Sequence, residues 1–441
     1  MTLLTNPNQQ ARWNAATTAA LPVRVGLIRR VLGTGFEIAG LDAAIGDLVI
    51  VHTGDADLRG VVVALSENTI TASAFTELAG LRVGQRVTAP GGPPRLSVGP
   101  DLLGRVVNAL GDPIDHHGPA DNTLRVSLDA QPPHPLRRQR IDTPMPLGVR
   151  AIDAAITCGR GQRIGIFAGS GVGKSTLLSM IVHHAQADVI VVGLVGERGR
   201  EVREFIENDL GPAGLDRSVV VVATSDEPPL MRLFAARTAT RIAESFRDDG
   251  LNVLLLVDSV TRFAMAQREI GLSAGEFPAS RGYPPSVLSE LPRLLERAGS
   301  GEVGSITALY TVLVEGDDMN DPVADTVRSI LDGHIVLTRA LAQRGHYPSI
   351  DVSASVSRVS TAVTTPAQQR LATTLREHLA AYEESRDLIE VGAYVAGSNP
   401  RTDAAITLRE PILEFLQQRA DQPSSYDDAW NMLRSVLEPA A

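Results

Sequence analysis

The first quarter of the chain alternates short apolar stretches with glycines. The apolar stretches span residues 23–31, 47–52, 60–65, 69–74 and 85–89. Short strands at regular spacing, separated by turn residues, are typical of small antiparallel barrels. The proline- and glycine-rich residues 90–94 then interrupt the pattern. We therefore predict a β-barrel domain over residues 22–92, preceded by a flexible N-terminal segment, residues 1–21.

Longer apolar runs follow a proline- and arginine-rich connector at residues 131–146. These runs span residues 163–168, 188–195, 218–223, 252–258 and 306–314. Continuous apolar runs suit strands that are buried on both faces, and helical patterns such as residues 230–247 separate them. The alternation predicts an α/β domain over residues 93–363, with a mostly parallel sheet and helices on both of its faces.

Helical spacing dominates the end of the chain. Beyond about residue 363 the apolar positions follow a helical period over residues 366–393, 403–420 and 424–437. We predict a C-terminal helical domain, residues 364–441. The complete fold class is then a small N-terminal β-barrel, an α/β core and a C-terminal helical domain.

Composition narrows the possible functions. The chain is 44% hydrophobic and 21% charged, and its formal net charge of −10 argues against a surface built mainly for nucleic acid or anionic lipid. Its apolar runs are far shorter than the roughly 18 residues of a membrane span. The first twenty residues lack the pattern of a signal peptide, and the single cysteine, Cys158, agrees with a reducing compartment. We expect a cytoplasmic protein.

Lys174 is the only lysine, although the chain has 41 lysines and arginines in total. It lies in residues 168–175, Ala-Gly-Ser-Gly-Val-Gly-Lys-Ser, between a predicted strand and a predicted helix. A compact ammonium can bend over a phosphate that backbone N–H groups hold, whereas a guanidinium is a broad planar fork. Strand, glycine-rich turn and helix start are the context of a phosphate-binding loop, the P-loop of nucleotide hydrolases.

The P-loop assignment predicts ATP as substrate and Mg²⁺ as cofactor. Lys174 would neutralise oxygens of the β- and γ-phosphates, and the Ser175 hydroxyl would bind Mg²⁺. The predicted ATP-binding residues are Gly169, Ser170, Gly171, Val172, Gly173, Lys174, Ser175 and Thr176. Asp258 ends an apolar strand about 80 residues downstream of the loop, and a carboxylate in that place is the second predicted Mg²⁺ ligand.

Three further residues have two interpretations when only the residues are considered. Glu197 follows an apolar strand and would activate water, or else cap a helix or form a surface ion pair. Arg358 would stabilise charge at a neighbouring copy's nucleotide, or else is a surface arginine. Tyr347 would stack on adenine, or else packs in the core.

Several segments together resemble the ATPases of type III secretion systems and their flagellar export relatives. The segments are residues 157–175, 196–205, 258–269, 282–286 and 313–318, within a match that covers about residues 103–358. More widely, the chain is similar to the catalytic subunit of rotary ATP synthases. The resemblance implies that Glu197 is the catalytic glutamate, Arg198 the adjacent arginine of its motif, Arg358 the arginine finger and Tyr347 the adenine-side aromatic.

The same resemblance implies an assembly and its partners. Because one chain holds both the catalytic glutamate and the finger that acts on a neighbour, a homohexameric ring is expected. Expected partners are the stalk and stator proteins, the export gate and chaperone–effector complexes, with peripheral contact at the cytoplasmic face of the inner membrane. Residues 271–285 would line the pore. Asn399 stands where the family pattern has an acid, which leaves the docking of chaperones open.

Other functions remain to be compared with this one. Residues 222–226, 259–264 and 308–319 resemble the injectisome branch more than the flagellar branch, so injectisome secretion is favoured and flagellar protein export is the alternative. A ring-shaped nucleic-acid translocase shares the nucleotide core, but the acidic charge argues against it. A regulatory subunit that binds but does not hydrolyse nucleotide is disfavoured by Glu197.

Overall fold

The computed structural model describes residues 24–54, 56–314 and 321–438. The chain forms two compact units, with the boundary between Pro94 and Arg95. The predicted N-terminal segment, residues 1–21, lies outside the described residues. So do residues 315–318 of the segment 313–318.

The first unit is a closed barrel of six antiparallel strands, as predicted. The strands are β1 (Val25–Leu32), β2 (Gly35–Ala39), β3 (Leu48–Val51), β4 (Leu58–Leu65), β5 (Ile70–Ala74) and β6 (Arg86–Thr88), paired in the order β1-β2-β5-β4-β3-β6. Alternate side chains such as Phe36, Ile38, Val49 and Val51 fill the interior. The sequence pattern missed β2, because only two residues separate it from β1 and Glu37 interrupts its apolar run.

The second unit contains one large sheet and a separate two-stranded sheet. Its strands are β7 (Arg95–Val98), β8 (Arg105–Asn108), β9 (Leu124–Ser127), β10 (Arg163–Ala168), β11 (Val189–Glu197), β12 (Ser218–Thr224), β13 (Asn252–Asp258), β14 (Gly299–Ser300), β15 (Ser305–Leu313), β16 (Gly333–Leu337) and β17 (Ile350–Ser357). The sheet order is β17-β16-β10-β15-β13-β11-β12-β8, and β7 and β9 pair separately. All neighbours from β16 to β8 are parallel, whereas β17 and the short β14 pair antiparallel. The prediction of a mostly parallel sheet is confirmed.

Helices connect and flank these strands. They are α1 (Arg150–Asp153), α2 (Lys174–His184), α3 (Gly199–Glu204), α4 (Gly211–Asp216), α5 (Pro229–Asp248), α6 (Val260–Ser273), α7 (Pro285–Leu295), α8 (Pro322–Ile330), α9 (Arg339–Gln343) and α10 (Ser360–Val363). A π-helical turn, Phe205–Leu210, joins α3 to α4, and 3₁₀ turns span Pro100–Leu102, Pro135–Arg137 and Ser280–Gly282. None of the described helices is both long and apolar enough to cross a bilayer.

The end of the chain is helical, as predicted. Its helices are α11 (Pro366–Glu390), α12 (Pro400–Thr407), α13 (Arg409–Leu416) and α14 (Tyr426–Leu437). A capping box between Thr365 and Gln368 starts α11. The sequence pattern predicts one helix over residues 403–420, but the structure has two, α12 and α13, which meet at Leu408. Pro411 accounts for the break, because it has no N–H to donate to the preceding turn.

The sheet determines where a site can form. Strands β11 and β13 pair in parallel, and β10 and β13 both pair in parallel with β15, so all three run in the same direction. Their side chains are almost entirely buried. Parallel strands end at the same edge of a sheet, and ligands of open α/β sheets bind beyond that edge. The residues that follow β10, β11 and β13 therefore come together.

Candidate active site

A glycine-rich loop joins β10 to α2 at the carboxyl edge of the sheet. Gly171 and Gly173 have φ angles of 75° and 87°, which only glycine adopts readily. The buried Val172 anchors the loop, since its carbonyl accepts a hydrogen bond from Ser349 Oγ at 2.6 Å. Ser170 is exposed. The first N–H groups of α2 have no partner within the helix, so the loop and the helix start form an anion-binding site.

Three charged side chains meet next to this loop. Lys174 Nζ contacts Asp258 Oδ1 and lies 3.6 Å from Glu197 Oε1. Asp258 Oδ1 also accepts a hydrogen bond from Thr311 Oγ1 at 2.6 Å. Lys174 follows β10, Glu197 ends β11 and Asp258 ends β13. The sheet thus gathers residues that are 23 to 84 positions apart in sequence (174 to 197, and 174 to 258).

The environment of Glu197 favours a carboxyl group that titrates near neutral pH. Burial raises the pKa of Glu197 to about 7, the charge of Asp258 adds to this shift, and Lys174 opposes it. A general base works best when its pKa lies near the working pH. Glu197 therefore has the chemistry of a base for a water molecule at this edge of the sheet.

The predicted metal ligands offer oxygen atoms at the same place. Ser175 is exposed on the first turn of α2, and the Asp258 carboxylate contacts the neighbouring Lys174. Hydroxyl and carboxylate oxygens are ligands that Mg²⁺ accepts, and Mg²⁺ sites commonly use one or two protein oxygens together with phosphate and water. The residues present fit this ion.

Arg262 lies beside this cluster, and it was not singled out from the sequence. A Cβ on Gly196 would lie 3.1 Å from Arg262 Cβ, so the arginine side chain crosses the backbone directly before Glu197. Its buried Nε has no hydrogen-bond partner among the described residues. The sequence held one signal: Arg262 lies four residues after Asp258, on the first turn of α6. Thr311 was missed as well, because nothing distinguishes it within the apolar β15.

Arg198 lies outside the cluster. It is the N-cap residue of α3, its side chain is largely exposed, and its guanidinium pairs with Glu201 Oε1 at 3.0 Å. The structure therefore brings together Lys174, Glu197 and Asp258, with Arg198 directed to a neighbouring surface.

Arg358 lies at the amino ends of the parallel strands, whereas Lys174 lies at their carboxyl ends. It follows β17, whose last residue, Ser357, pairs with Gly333 at the start of β16. Its backbone N–H donates to Asp332, and its exposed side chain donates to the carbonyl of Arg328 at 3.4 Å. Because β16 is parallel to β10, the length of a six-residue strand, roughly 20 Å, separates Arg358 from the loop. Arg358 does not reach the phosphate site of its own chain.

Tyr347 lies beside the loop and is 45% exposed, so it is not packed in the core. A Cβ on Gly173 would meet the tyrosine ring at 3.2 Å, which places the ring against the backbone of the loop. Tyr347 also lines a cleft of about 690 Å³, together with Arg150, Phe415 and Gln418. A nucleotide whose phosphates bind at the loop would have its base on this side.

Three segments of the chain match protein families. Residues 148–357 match the profile described as the nucleotide-binding domain of the ATP synthase alpha/beta family, and residues 28–91 match that family's beta-barrel domain. Residues 364–435 match the C-terminal domain of the type III secretion ATPase EscN.

Curated relatives match nearly the whole chain. A flagellum-specific ATP synthase of Bacillus subtilis (strain 168) is 51% identical over 416 residues, which is 94% of this chain and 95% of the relative. A type 3 secretion system ATPase of Xanthomonas euvesicatoria is 50% identical over 425 residues, 96% of each chain.

Solved structures extend the similarity to the fold. The assembled ATPase EscN from the type III secretion system of enteropathogenic E. coli superposes with a TM-score of 0.90 at 48% identity, covering 93% of this chain and 100% of that chain. EscN in complex with its central stalk EscO gives a TM-score of 0.86 at 47% identity, with the same coverage.

Proposed function

The chain belongs to the family of type III secretion and flagellar export ATPases, and on that premise we propose that it hydrolyses MgATP to energise type III protein secretion. The observation that carries the proposal is the meeting of Lys174, Glu197 and Asp258 beside the phosphate-binding loop. Hydrolysis of a terminal phosphate needs a cation for the phosphate oxygens, a ligand for the metal and a group that activates water, and these three residues supply them.

Each side chain has a separate task in this proposal. Lys174 and the N–H groups of residues 169–176 bind the phosphates, and Arg262 adds a second cation beside Glu197. Glu197 orients a water molecule, accepts its proton as the water oxygen bonds to the γ-phosphorus, and ADP leaves with the electrons of the broken P–O bond. Tyr347 contacts the base. Arg198, which pairs with Glu201, would hold the start of α3 behind Glu197.

Mg²⁺ would be held by Ser175 and Asp258. When bound, it neutralises charge on the β- and γ-phosphate oxygens. Thr311 orients the Asp258 carboxylate toward this task through its hydrogen bond.

We propose that the working form is a homohexamer in which Arg358 completes the site of the adjacent subunit. The distance between Arg358 and the loop of its own chain supports an action on a neighbour, and a solved relative is described as assembled. A guanidinium that reaches the γ-phosphate from outside stabilises charge in the transition state.

The partners follow from the family. A central stalk protein fits the described complex of EscN with EscO. We propose that stator proteins, the export gate and chaperone–effector complexes also bind, and that the ring works in the cytoplasm, peripheral to the inner membrane. There it would release and unfold chaperone-bound substrates. Flagellar export is the alternative, and a flagellum-specific relative is about as similar to this chain as a type 3 secretion relative is.

The first test is phosphate release from MgATP by the full chain. We expect ATPase activity, and we expect Lys174→Ala to lower the rate at least about a hundredfold, because the phosphate charge then lacks its cation. Arg370→Ala, which removes an exposed positive charge from α11, is the matched control and should keep the wild-type rate. Equal rates for Lys174→Ala and wild type would reject the assignment of the loop.

The second test separates protein export from nucleic-acid translocation. Single-stranded RNA added to the ATPase assay should leave the rate unchanged, because the net charge of −10 does not favour nucleic acid. Strong stimulation by RNA would support a translocase of nucleic acid instead.

A further inference from the structure

The buried side chain of Gln418 joins separate segments of the second unit next to Tyr347. Its Nε2 donates to the carbonyls of Gly148 and Gln422 at 2.9 and 2.8 Å, and its Oε1 accepts from the backbone N–H of Arg150 at 2.9 Å. The backbone N–H of Gln418 donates to the Tyr347 carbonyl at 2.9 Å. Gln418 is 4% exposed, so these hydrogen bonds are shielded from water.

Arg150 strengthens the same junction from the other side. Its Nε donates to the Phe415 carbonyl at 3.1 Å, and its Nη2 donates to the Gln417 carbonyl. Its Nη1 lies 3.9 Å from Met432 Sδ. The first two contacts satisfy carbonyls at the end of α13, which have no partners within that helix. A planar fork suits this double contact better than an ammonium does.

The junction forms one wall of the cleft beside the phosphate-binding loop. Arg150, Tyr347, Phe415 and Gln418 all line this cleft, and the Tyr347 ring lies against Gly173 of the loop. Neither Gln418 nor Arg150 is among the residues that gather around Lys174. Their contacts fix the base side of the cleft and leave the phosphate side to the loop.

We propose that Gln418 and Arg150 are positioning residues that set the affinity for the nucleoside part of the nucleotide, by holding Tyr347 and residues 415–418 against the loop. This inference rests on the proposed nucleotide binding. Residues 415–418 comprise the end of α13, at Leu416, and the two residues that follow it, whereas Gly148 and Tyr347 flank the sheet. Occupation of the base side therefore stabilises the docked C-terminal helices, and docking strengthens base binding by the same factor.

Gln418→Glu tests this assignment in the full chain. The carboxylate keeps the shape of the amide and the acceptor for Arg150, but it turns an oxygen toward the carbonyls of Gly148 and Gln422. Dissociation constants for ADP and for inorganic tripolyphosphate, each with Mg²⁺, are measured by calorimetry. We expect the constant for ADP to rise about tenfold or more, and that for tripolyphosphate to change by less than about threefold.

Gln131→Glu is the matched control, because it makes the same change at an exposed position in the connector that precedes α1. It should leave both constants unchanged. An unchanged ADP constant for Gln418→Glu, or an equal loss for both ligands, would overturn the assignment. A wild-type protein that binds neither ligand would instead reject the proposed function.

A second variant covers the case in which Gln418→Glu does not fold. Arg150→Lys keeps the positive charge but loses the fork that bonds Phe415 and Gln417. The same selective loss of ADP binding is expected, with tripolyphosphate binding retained. Equal binding of ADP by Arg150→Lys and wild type would contradict a positioning role.

Discussion

At the scale of single residues, the site combines one ammonium with two carboxylates. Lys174 contacts Asp258 and lies 3.6 Å from Glu197, in surroundings that leave each side chain less than a fifth exposed. When both carboxylates are ionised, the trio carries a net negative charge, which favours arrival of a nucleotide together with its metal ion. The arginine-rich chain keeps its one lysine where a compact cation fits between two acids.

Glu197→Gln tests the role of the base. The amide has nearly the same shape but accepts no proton, so we expect kcat to fall at least about a hundredfold, with ATP still bound. Phosphate release and the dissociation constant for ATP measure the two effects. Glu204→Gln, an exposed position at the end of α3, is the control and should behave as wild type. Normal turnover by the Glu197 variant would remove this residue from the mechanism.

Some of these residues could be predicted from the sequence and others could not, for physical reasons. Lys174 and Asp258 were predictable, because a loop between strand and helix and an acid after an apolar strand have a recognisable context. Glu197 and Arg358 were ambiguous by residue type, since charged side chains are common on surfaces. Arg262 lacked any signal beyond its spacing from Asp258.

At the scale of elements, burial on both faces makes a strand predictable. Strands β10 to β13 were found from their continuous apolar runs, which a parallel sheet requires. The antiparallel edge strand β17 was missed, since half of Ile350–Ser357 is exposed or only partly buried and it contains Asp351 and several serines. The Gln418 junction was also beyond prediction, because its partners are up to 270 residues apart.

A buried carboxylate in α1 gives a prediction about pH. Asp153 accepts backbone N–H bonds from Leu147 and Gly148, both at 2.9 Å, and burial raises the pKa of Asp153 to about 7. The unfolded chain ionises this group near pH 4. The neutral Asp153 carboxyl therefore stabilises the folded state relative to the ionised one. This contribution to the free energy of unfolding is complete below about pH 4 and is lost as the pH rises to about 7.

Asp153→Asn removes this dependence. Between pH 5 and 7 the melting temperature of the variant should rise relative to that of wild type, because only wild type loses stability in this range. The difference in unfolding free energy should change by at most about 1.4 kcal/mol per pH unit and should level off above pH 7. Asp249→Asn, at an exposed position, serves as the control and should give a constant difference. A constant difference for Asp153→Asn as well would show that this carboxyl is ionised throughout.

At the scale of the whole molecule, the sheet separates two functional ends. Lys174 follows the carboxyl end of β10, whereas Arg358 lies near Asp332 and the amino end of the same strand. In the proposed ring, each subunit would present its nucleotide site to one neighbour and Arg358 to the other. A head-to-tail contact whose rotation closes gives a ring, and each active site would then draw on residues from two chains.

Mixing two inactive variants tests this arrangement. Arg358→Ala and Lys174→Ala should each lack ATPase activity alone, because each breaks every site of a uniform ring. In an equal mixture, a site is complete when its loop comes from Arg358→Ala and its finger from Lys174→Ala, which holds for about a quarter of the sites if subunits assort at random. We therefore expect about a quarter of the wild-type phosphate release, with subunit exchange verified by two labels. In the control mixture of Arg370→Ala and Lys174→Ala, about half the sites keep their lysine, so about half the wild-type rate is expected. No recovery in mixed rings would mean that Arg358 does not act across the interface, because an arginine acting within its own chain leaves every mixed site broken.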